Sequence, residues 1–232
     1  MKHQPEDHDL DTSEAFQLDC PNPQCPLDQE LLALKSELQL LRSQAITDGL
    51  TGLFNKRYFD NSLLHELDRT SRTGQPTALL LLDIDHFKNL NDSHGHQAGD
   101  KVLESVARLL LSDLRRLDIA CRYGGEEFAV ILPSTPLLVA IQVAERIRQQ
   151  IERSKVEWKS KKLHVTASIG VDCCQPHTDT TPDQLLAGAD EQLYRAKRSG
   201  RNQVSFRPGE PATHVSSEER EALNQLALGN DQ

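Results

Sequence analysis

The chain has 232 residues, 37% hydrophobic and 26% charged, with a formal net charge of −9, which bounds it to one or two domains with one packed core and polar extensions. The charge is uneven: residues 1–30 hold Glu6, Asp7, Asp9, Asp11, Glu14, Asp19, Asp28 and Glu30 against Lys2 alone, so the rest of the chain is close to neutral. An acidic arm on a near-neutral body speaks against nucleic-acid binding, which needs lysine and arginine to neutralise phosphates; no apolar run approaches the ~20 residues of a membrane span, and the acidic N-terminus lacks the apolar stretch of a signal peptide.

Five cysteines, an odd number, fit a reducing compartment better than a disulfide scaffold, so a cytoplasmic location is expected. Residues 1–25 form a polar, acidic arm expected to be disordered. Cys20 and Cys25, with His3 and His8 upstream, leave two readings open. A closed zinc site needs four ligands at regular spacing; two free thiols fit this arm better. From Pro26 the pattern changes. Leu27, Leu31, Leu34, Leu38, Leu41 and Ala45 recur at alternating spacings of four and three, an a/d seam. With Leu31 at a, Glu30 would face Lys35 of a parallel partner helix and Glu37 would face Arg42. A helix could instead pack this stripe on its own domain, but both charge pairs favour a stalk over 26–46 that joins a parallel homodimer.

Thr47–Asn55, with two glycines and capping residues, marks the start of a domain expected over 47–206; residues 207–232 read as a polar tail with a short helix near 217–227. The spacing predicts a helix over Lys56–Arg72. Ala78–Leu82 is fully apolar and reads as a buried central strand. It runs into Asp83-Ile84-Asp85, where a turn is expected, so the two carboxylates are not assumed to share a site. Gly95–Asp100 reads as a glycine-containing connection before a helix over Lys101–Ser112. A second long helix follows over Pro136–Arg153, a strand over Leu163–Val171 and a third helix over Asp183–Arg198. The order βαββαβ, with additions, predicts an α+β fold of the ferredoxin-like class, an antiparallel sheet with helices on one face.

Between these elements lies Cys121–Leu132, two strand-like runs around Gly124-Gly125. The glycine pair predicts a tight hairpin, because both residues tolerate φ > 0, and its bare tip lets a ligand approach the backbone. Glu126 and Glu127 follow at once. Alone they read as solvated acids. A carboxylate at the end of a buried strand, however, is costly unless paired or bound to metal, and Asp83 closes the strand expected beside this hairpin. Carboxylates on adjacent strands suit a hard cation that carries phosphates. Lys197 and Arg201 could supply charge to those phosphates, or simply be the solvated cations favoured at a helix end.

Seven stretches in order then resemble the GGDEF family of diguanylate cyclases, in its Gly-Gly-Glu-Glu-Phe variant, across about residues 46–206. They are Asp48–Asn55, Asp83–Lys88, Asn91, Gly95-His96 with Gly99-Asp100, Arg122–Phe128, Ala167–Gly170 and Tyr194–Asn202. The resemblance implies a nucleotide-cyclase, polymerase-palm-like domain that condenses two GTP into cyclic di-GMP and two pyrophosphates. It implies magnesium, or manganese in its place, bound by Asp83, Glu126 and the Ile84 carbonyl. The proton of the GTP 3′-hydroxyl goes to Glu126 or Glu127. Asn91 and Asp100 would read the guanine edge, with His96 beside them. Lys88, Lys197 and Arg201 would hold phosphates, assisted by backbone N–H groups near His86 and Phe87, and Gly124 and Gly125 would leave room for the nucleotide. Each protomer carries one GTP, so two half-sites must face each other, and the stalk would supply the second copy. Arg115 and Asp118 match the family's inhibitory RxxD site, and Arg146 falls where the family carries a further product-binding arginine. The Cys-Pro-Asn-Pro-x-Cys-Pro start and stalk are similar to short, partner-controlled cyclases of the SiaD type, which implies a regulatory protein on residues 1–46. The competing reading is a non-catalytic module that senses GTP or cyclic di-GMP and acts by contact.

Overall fold

Eight consecutive residues, Thr77–Ile84, form strand β2, and all eight are buried. A strand buried throughout needs cover on both faces, and this one has it. In the computed structural model, which describes residues 29–35, 46–159, 161–176 and 178–207, Ala78, Leu80, Leu82 and Ile84 pack into one apolar cluster while Leu79 and Leu81 pack into another. The first cluster draws on helices α3 (His96–Asp113) and α4 (Leu137–Arg153), through Val102, Leu103, Val106, Ala140, Ala144 and Ile147. The second draws on α1 (Lys56–Thr73) and α5 (Pro182–Arg198), through Phe59, Leu63, Leu185, Ala189 and Leu193. The expectation of helices on one face is therefore corrected: the period-2 pattern sends alternate β2 side chains to two cores.

Edge to edge, the described sheet runs through Phe54–Asn55, Ile119–Arg122, Glu127–Leu132, β2, Ala167–Cys174 and Val204–Phe206. Its centre, β3 (Ile119–Arg122), β4 (Glu127–Leu132), β2 and β7 (Ala167–Cys174), is antiparallel and forms the expected ferredoxin-like βαββαβ core. Short parallel strands, β1 (Phe54–Asn55) and β8 (Val204–Phe206), flank it. The predicted strand over Leu163–Val171 begins later and runs further. Lys161–Leu163 is instead β6, paired with β5 (Val156–Trp158) in a separate small ribbon.

Local chemistry sets most ends. Asn55 caps α1 by accepting from the Tyr58 N–H, and Gly74 ends it in the left-handed region at φ 69°. Thr181 and Gln184 form a capping box around Pro182 at the start of α5. The turn expected after β2 lies at Asp85–His86, and a helix not expected there, α2 (Phe87–His94), follows it; α3 starts at His96 rather than Lys101. Asn, Asp and Ser make α2 a poor helix by propensity, and Gly99 looks like a loop residue. Packing overrides both: Gly99 lies inside α3 because a Cβ there would overlap the Asn91 side chain and stand 3.0 Å from the Phe87 ring.

By compactness the chain divides into residues 1–45 and 46–232. In the first unit residues 29–35 are helical, with Leu31 and Leu34 49% and 57% exposed. The expectations for the acidic arm, Cys20 and Cys25, most of the leucine seam and the tail lie outside the described residues. No helix among the described residues is long and apolar enough to cross a membrane.

Helix α5 sits directly on β7. A Cβ on Gly170 would overlap the Ala189 carbonyl and the Leu193 N–H. Both are backbone atoms, so relief requires moving the helix. Gly170→Ala is expected to cost about 1–3 kcal/mol of stability, read as a lower urea midpoint; an unchanged midpoint would count against this close seating.

Candidate active site

The register of β2 against β4 places Asp83 opposite Glu127. One step further, the Ile84 N–H donates to the Glu126 carbonyl at 3.3 Å. Asp83, Ile84, Glu126 and Glu127 thus meet where β2 reaches the tip of the β3–β4 hairpin. The tip closes through Tyr123 and Gly124 N–H groups on the Glu127 carbonyl, at 2.8 and 3.2 Å. Neither Gly124 nor Gly125 has positive φ, so the reason expected for the glycine pair is corrected. Their contribution is space. A Cβ on Gly124 would collide with the Glu127 carboxylate, and around Gly125 the space is open.

Charge at this junction is unbalanced. Asp83 is 7% exposed, and Lys197 Nζ reaches its Oδ2 at 2.7 Å. Burial nevertheless pushes the Asp83 carboxyl above its ordinary range, against the pull of Lys197 and, more weakly, Arg201. Glu126 is also pushed up, first by burial and then by the Asp83 charge. One ammonium therefore serves two crowded carboxylates. Among the described residues no cluster of three or more His, Cys, Asp or Glu side chains forms a ready metal cage. Two carboxylates beside a backbone carbonyl are an all-oxygen set, which fits a hard divalent cation held together with substrate phosphates.

Beside this cluster, His86 adopts φ 57° and leads into α2. The first N–H groups of that helix, at Phe87 and after, have no intrahelical acceptor. Lys88 is exposed on the same turn. Asn91 lies on α2 with its Oδ1 buried and without a hydrogen-bond partner, pressed against Gly99, which Asp100 follows on α3; His96 opens α3 and is exposed. The predicted guanine-edge residues therefore border one α2–α3 junction. Lys197 ends α5 near the strand, and Arg201 follows at φ 63°.

Two features escape a reading by motif. Arg122 donates through Nε and Nη2 to the Gly125 carbonyl, at 3.2 and 2.8 Å, and through Nη1 to both oxygens of Asp48 at 3.2 Å. Asp48 also accepts from the Thr51 N–H and hydroxyl. Burial alone would raise the Asp48 carboxyl, but the Thr51 donors and Arg122 outweigh it and hold it below the usual range. The turn that opens the domain is thereby tied to the hairpin tip, across 74 residues. The second feature is Asp85. It is buried and its oxygens are engaged by Thr166, Ser168 and Asn202, of which Ser168 lies opposite Asp83 in the β2–β7 register.

At the other end of β3, Arg115, Asp118 and Arg146 line one pocket with Leu132, Thr135 and Val143. The Asp118 carboxylate accepts from the Arg115 N–H at 2.8 Å, and Arg146 clasps Asp113 at 2.7 and 2.8 Å.

The family described as diguanylate cyclase, GGDEF domain, matches residues 45–203. Response regulator PleD of Caulobacter vibrioides is 42% identical over 196 residues, covering 77% of this chain; the chain spans 43% of PleD's length. Among solved structures, the coiled coil and GGDEF domain of DgcB from Caulobacter crescentus, in complex with c-di-GMP, is 34% identical with a TM-score of 0.73, covering 78% of this chain and 95% of that one. Diguanylate cyclase SiaD of Pseudomonas aeruginosa, in complex with its activator SiaC, is 39% identical with a TM-score of 0.69, covering 78% of this chain and 69% of that one.

The Asp48–Arg122 tie should be energetic as well as geometric. Their side chains are 23% and 18% exposed, so a double-mutant cycle with Asp48→Ala and Arg122→Ala is expected to give a coupling of about 1 kcal/mol or more at pH 7. Because the folded-state Asp48 pKa is depressed, this stability is fully present above the ordinary 3.8 and fades as pH falls below it. A coupling near zero at pH 7 would remove the tie from the account.

Proposed function

This chain belongs to the diguanylate cyclase, GGDEF-domain family, and we propose that it condenses two GTP into cyclic di-GMP and two pyrophosphates. The observation that carries the proposal is the pair of crowded carboxylates, Asp83 and Glu126, flanked by Lys197 and Arg201. Acids with excess charge beside cations suit phosphoryl-type transfer, in which catalysis is mostly positioning and charge neutralisation.

Asp83, Glu126 and the Ile84 carbonyl would hold a magnesium or manganese ion. When bound, that ion activates the attacking oxygen and neutralises charge on the leaving pyrophosphate. Lys88, Lys197 and Arg201 bind the phosphates, with the N–H groups at His86 and Phe87 completing the cradle. The buried, partnerless Asn91 Oδ1 accepts from the guanine edge, with Asp100 as the second acceptor and His96 at the rim. A site with acceptors that only the right base satisfies rejects the others strongly. The 3′-hydroxyl proton passes to Glu126 or Glu127; the Glu127 carboxylate lies over Gly124. Open space at Gly125 admits the nucleotide.

Each 3′-hydroxyl attacks the other nucleotide's α-phosphate, so two copies must face each other. The leucine seam over 26–46 supports pairing through a parallel stalk, since Leu31 and Leu34 stay half exposed in the single chain, and linking raises the effective concentration of one domain near the other. A regulatory protein bound to residues 1–46 would act on that stalk; the likeness to SiaD, solved with its activator, supports this. Arg115, Asp118 and Arg146 form the inhibitory site for cyclic di-GMP, where arginine forks meet guanine edges and phosphates. The likeness to DgcB, solved with c-di-GMP, supports the ligand class.

Incubation with GTP and magnesium is expected to yield cyclic di-GMP and pyrophosphate by chromatography. Glu126→Ala should lower turnover by about a thousandfold, a loss of several kcal/mol of transition-state stabilisation, with an unchanged circular dichroism spectrum. A dimeric sample that binds GTP without turning it over would favour the sensing module. Separately, Arg115→Ala should let product accumulate past the level at which the wild type stalls; an identical plateau would remove the inhibitory site.

A further inference from the structure

Asp85 stands two residues after Asp83, and its hydrogen bonds tie the end of β2 to β7 and to the loop after α5. Its oxygens accept from Thr166 Oγ1 at 2.7 Å, Ser168 Oγ at 2.7 Å and the Asn202 N–H at 3.0 Å. Asn202 is also bound from the far side. Its Oδ1 accepts from Arg148 Nη1 at 2.7 Å, and its Nδ2 donates to Glu152 Oε1 at 2.7 Å. Arg148 is only 13% exposed and is itself clasped by Glu145 and Glu152 on α4. Asn202 thus bridges the end of β2 and the last turns of α4.

What this bridge holds is strained. Arg201 and Asn202 both lie in the left-handed region, at φ 63° and 46°. Two consecutive non-glycine residues there persist only where surrounding bonds over-determine them. The same loop is closed against α5, since the Arg201 N–H and the Gln203 side chain both donate to the Ala196 carbonyl, at 3.1 and 2.9 Å. The segment that carries Lys197 and Arg201 is therefore pinned at one end by α5 and at the other by Asn202.

We propose that Asn202 is a positioning residue: held between Asp85 and the Arg148–Glu152 pair, it fixes the Arg201–Asn202 turn and so aims Arg201 and Lys197 at the β- and γ-phosphates of the nucleotide. This rests on the cyclase reading above. Asn202 spends its own bonds on Asp85, Arg148 and Glu152, so it acts through Arg201 rather than on the substrate.

The test separates the phosphates from the base. Binding of α,β-methylene GTP, which cannot be turned over at that bond, is compared by calorimetry with binding of GMP, which lacks the β- and γ-phosphates. Both are measured with magnesium on the full chain. Asn202→Ala and Asn202→Gly are each expected to weaken the triphosphate about tenfold, as for loss of a hydrogen-bonded charged group's support, with GMP affinity changed less than about twofold. Asn202→Gly matters because glycine keeps the left-handed turn without strain, so that variant folds and isolates the side chain's bonds. Wild-type triphosphate affinity in Asn202→Gly would overturn the proposal, because the turn alone would suffice. An equal loss for both ligands would also overturn it, as general loosening. Should the wild type bind neither ligand, the cyclase reading falls and takes this proposal with it; a wild type that binds the triphosphate beside variants that bind it equally well sinks the proposal alone.

Discussion

A carboxylate sits at the end of a strand buried on both faces, and much of the described structure answers that constraint. Taking Asp83 out of water disfavours its charged form, and the fold supplies one compensating ammonium, Lys197, at 2.7 Å. The second acid, Glu126, arrives because Ile84 donates to its carbonyl, and it adds to the crowding. A protein selected only for stability would avoid this arrangement, since perturbed acids of this kind cluster where chemistry is done. The surrounding elements then have identifiable tasks. β7 and α5 bring Lys197, α2 and α3 bring the orphaned Asn91 acceptor, and Arg122 holds the hairpin that carries Glu126.

Much of this was legible in the sequence, for physical reasons. Asp83 was readable because a charged residue after five apolar ones has few cheap explanations, and the hairpin because Gly-Gly between apolar runs is a strong turn signal. The details were less accessible. The glycine pair serves clearance and not positive φ, because the Glu127 side chain folds back over Gly124. Helix α2 was missed because its residues are poor helix formers, and the start of α3 was missed because two glycines read as a loop. Both form because Phe87 and Asn91 need the bare Gly99 surface to pack against. The two-sided sheet was implicit in the unbroken apolar run of β2, yet the element order alone suggested one layer of helices.

The bonds of Arg122 and Asp85 were beyond sequence reasoning of any local kind. Arg122 meets Asp48 across 74 residues, and Asp85 meets Asn202 across 117. No periodicity or capping rule reports such pairs, since they are set by sheet register and loop closure. β3 spans only four residues. Arg122 stands at its end on the hairpin, and the Arg115–Asp118 turn stands just before its start.

The seating of α5 on bare β7 backbone has a consequence for how such a chain can change over generations. Where side chains separate a helix from a sheet, pairs of substitutions can exchange bulk and drift together. At Gly170 there is no side chain to exchange, and the atoms it faces belong to the main chain of Ala189 and Leu193. Position 170 therefore has no conservative neighbours in sequence space, and compensation would require re-laying the helix that carries Lys197. Lineages that keep this charge arrangement should be free to vary the helix surface, at residues such as Tyr194 and Arg198, long before they vary one hydrogen atom beneath it.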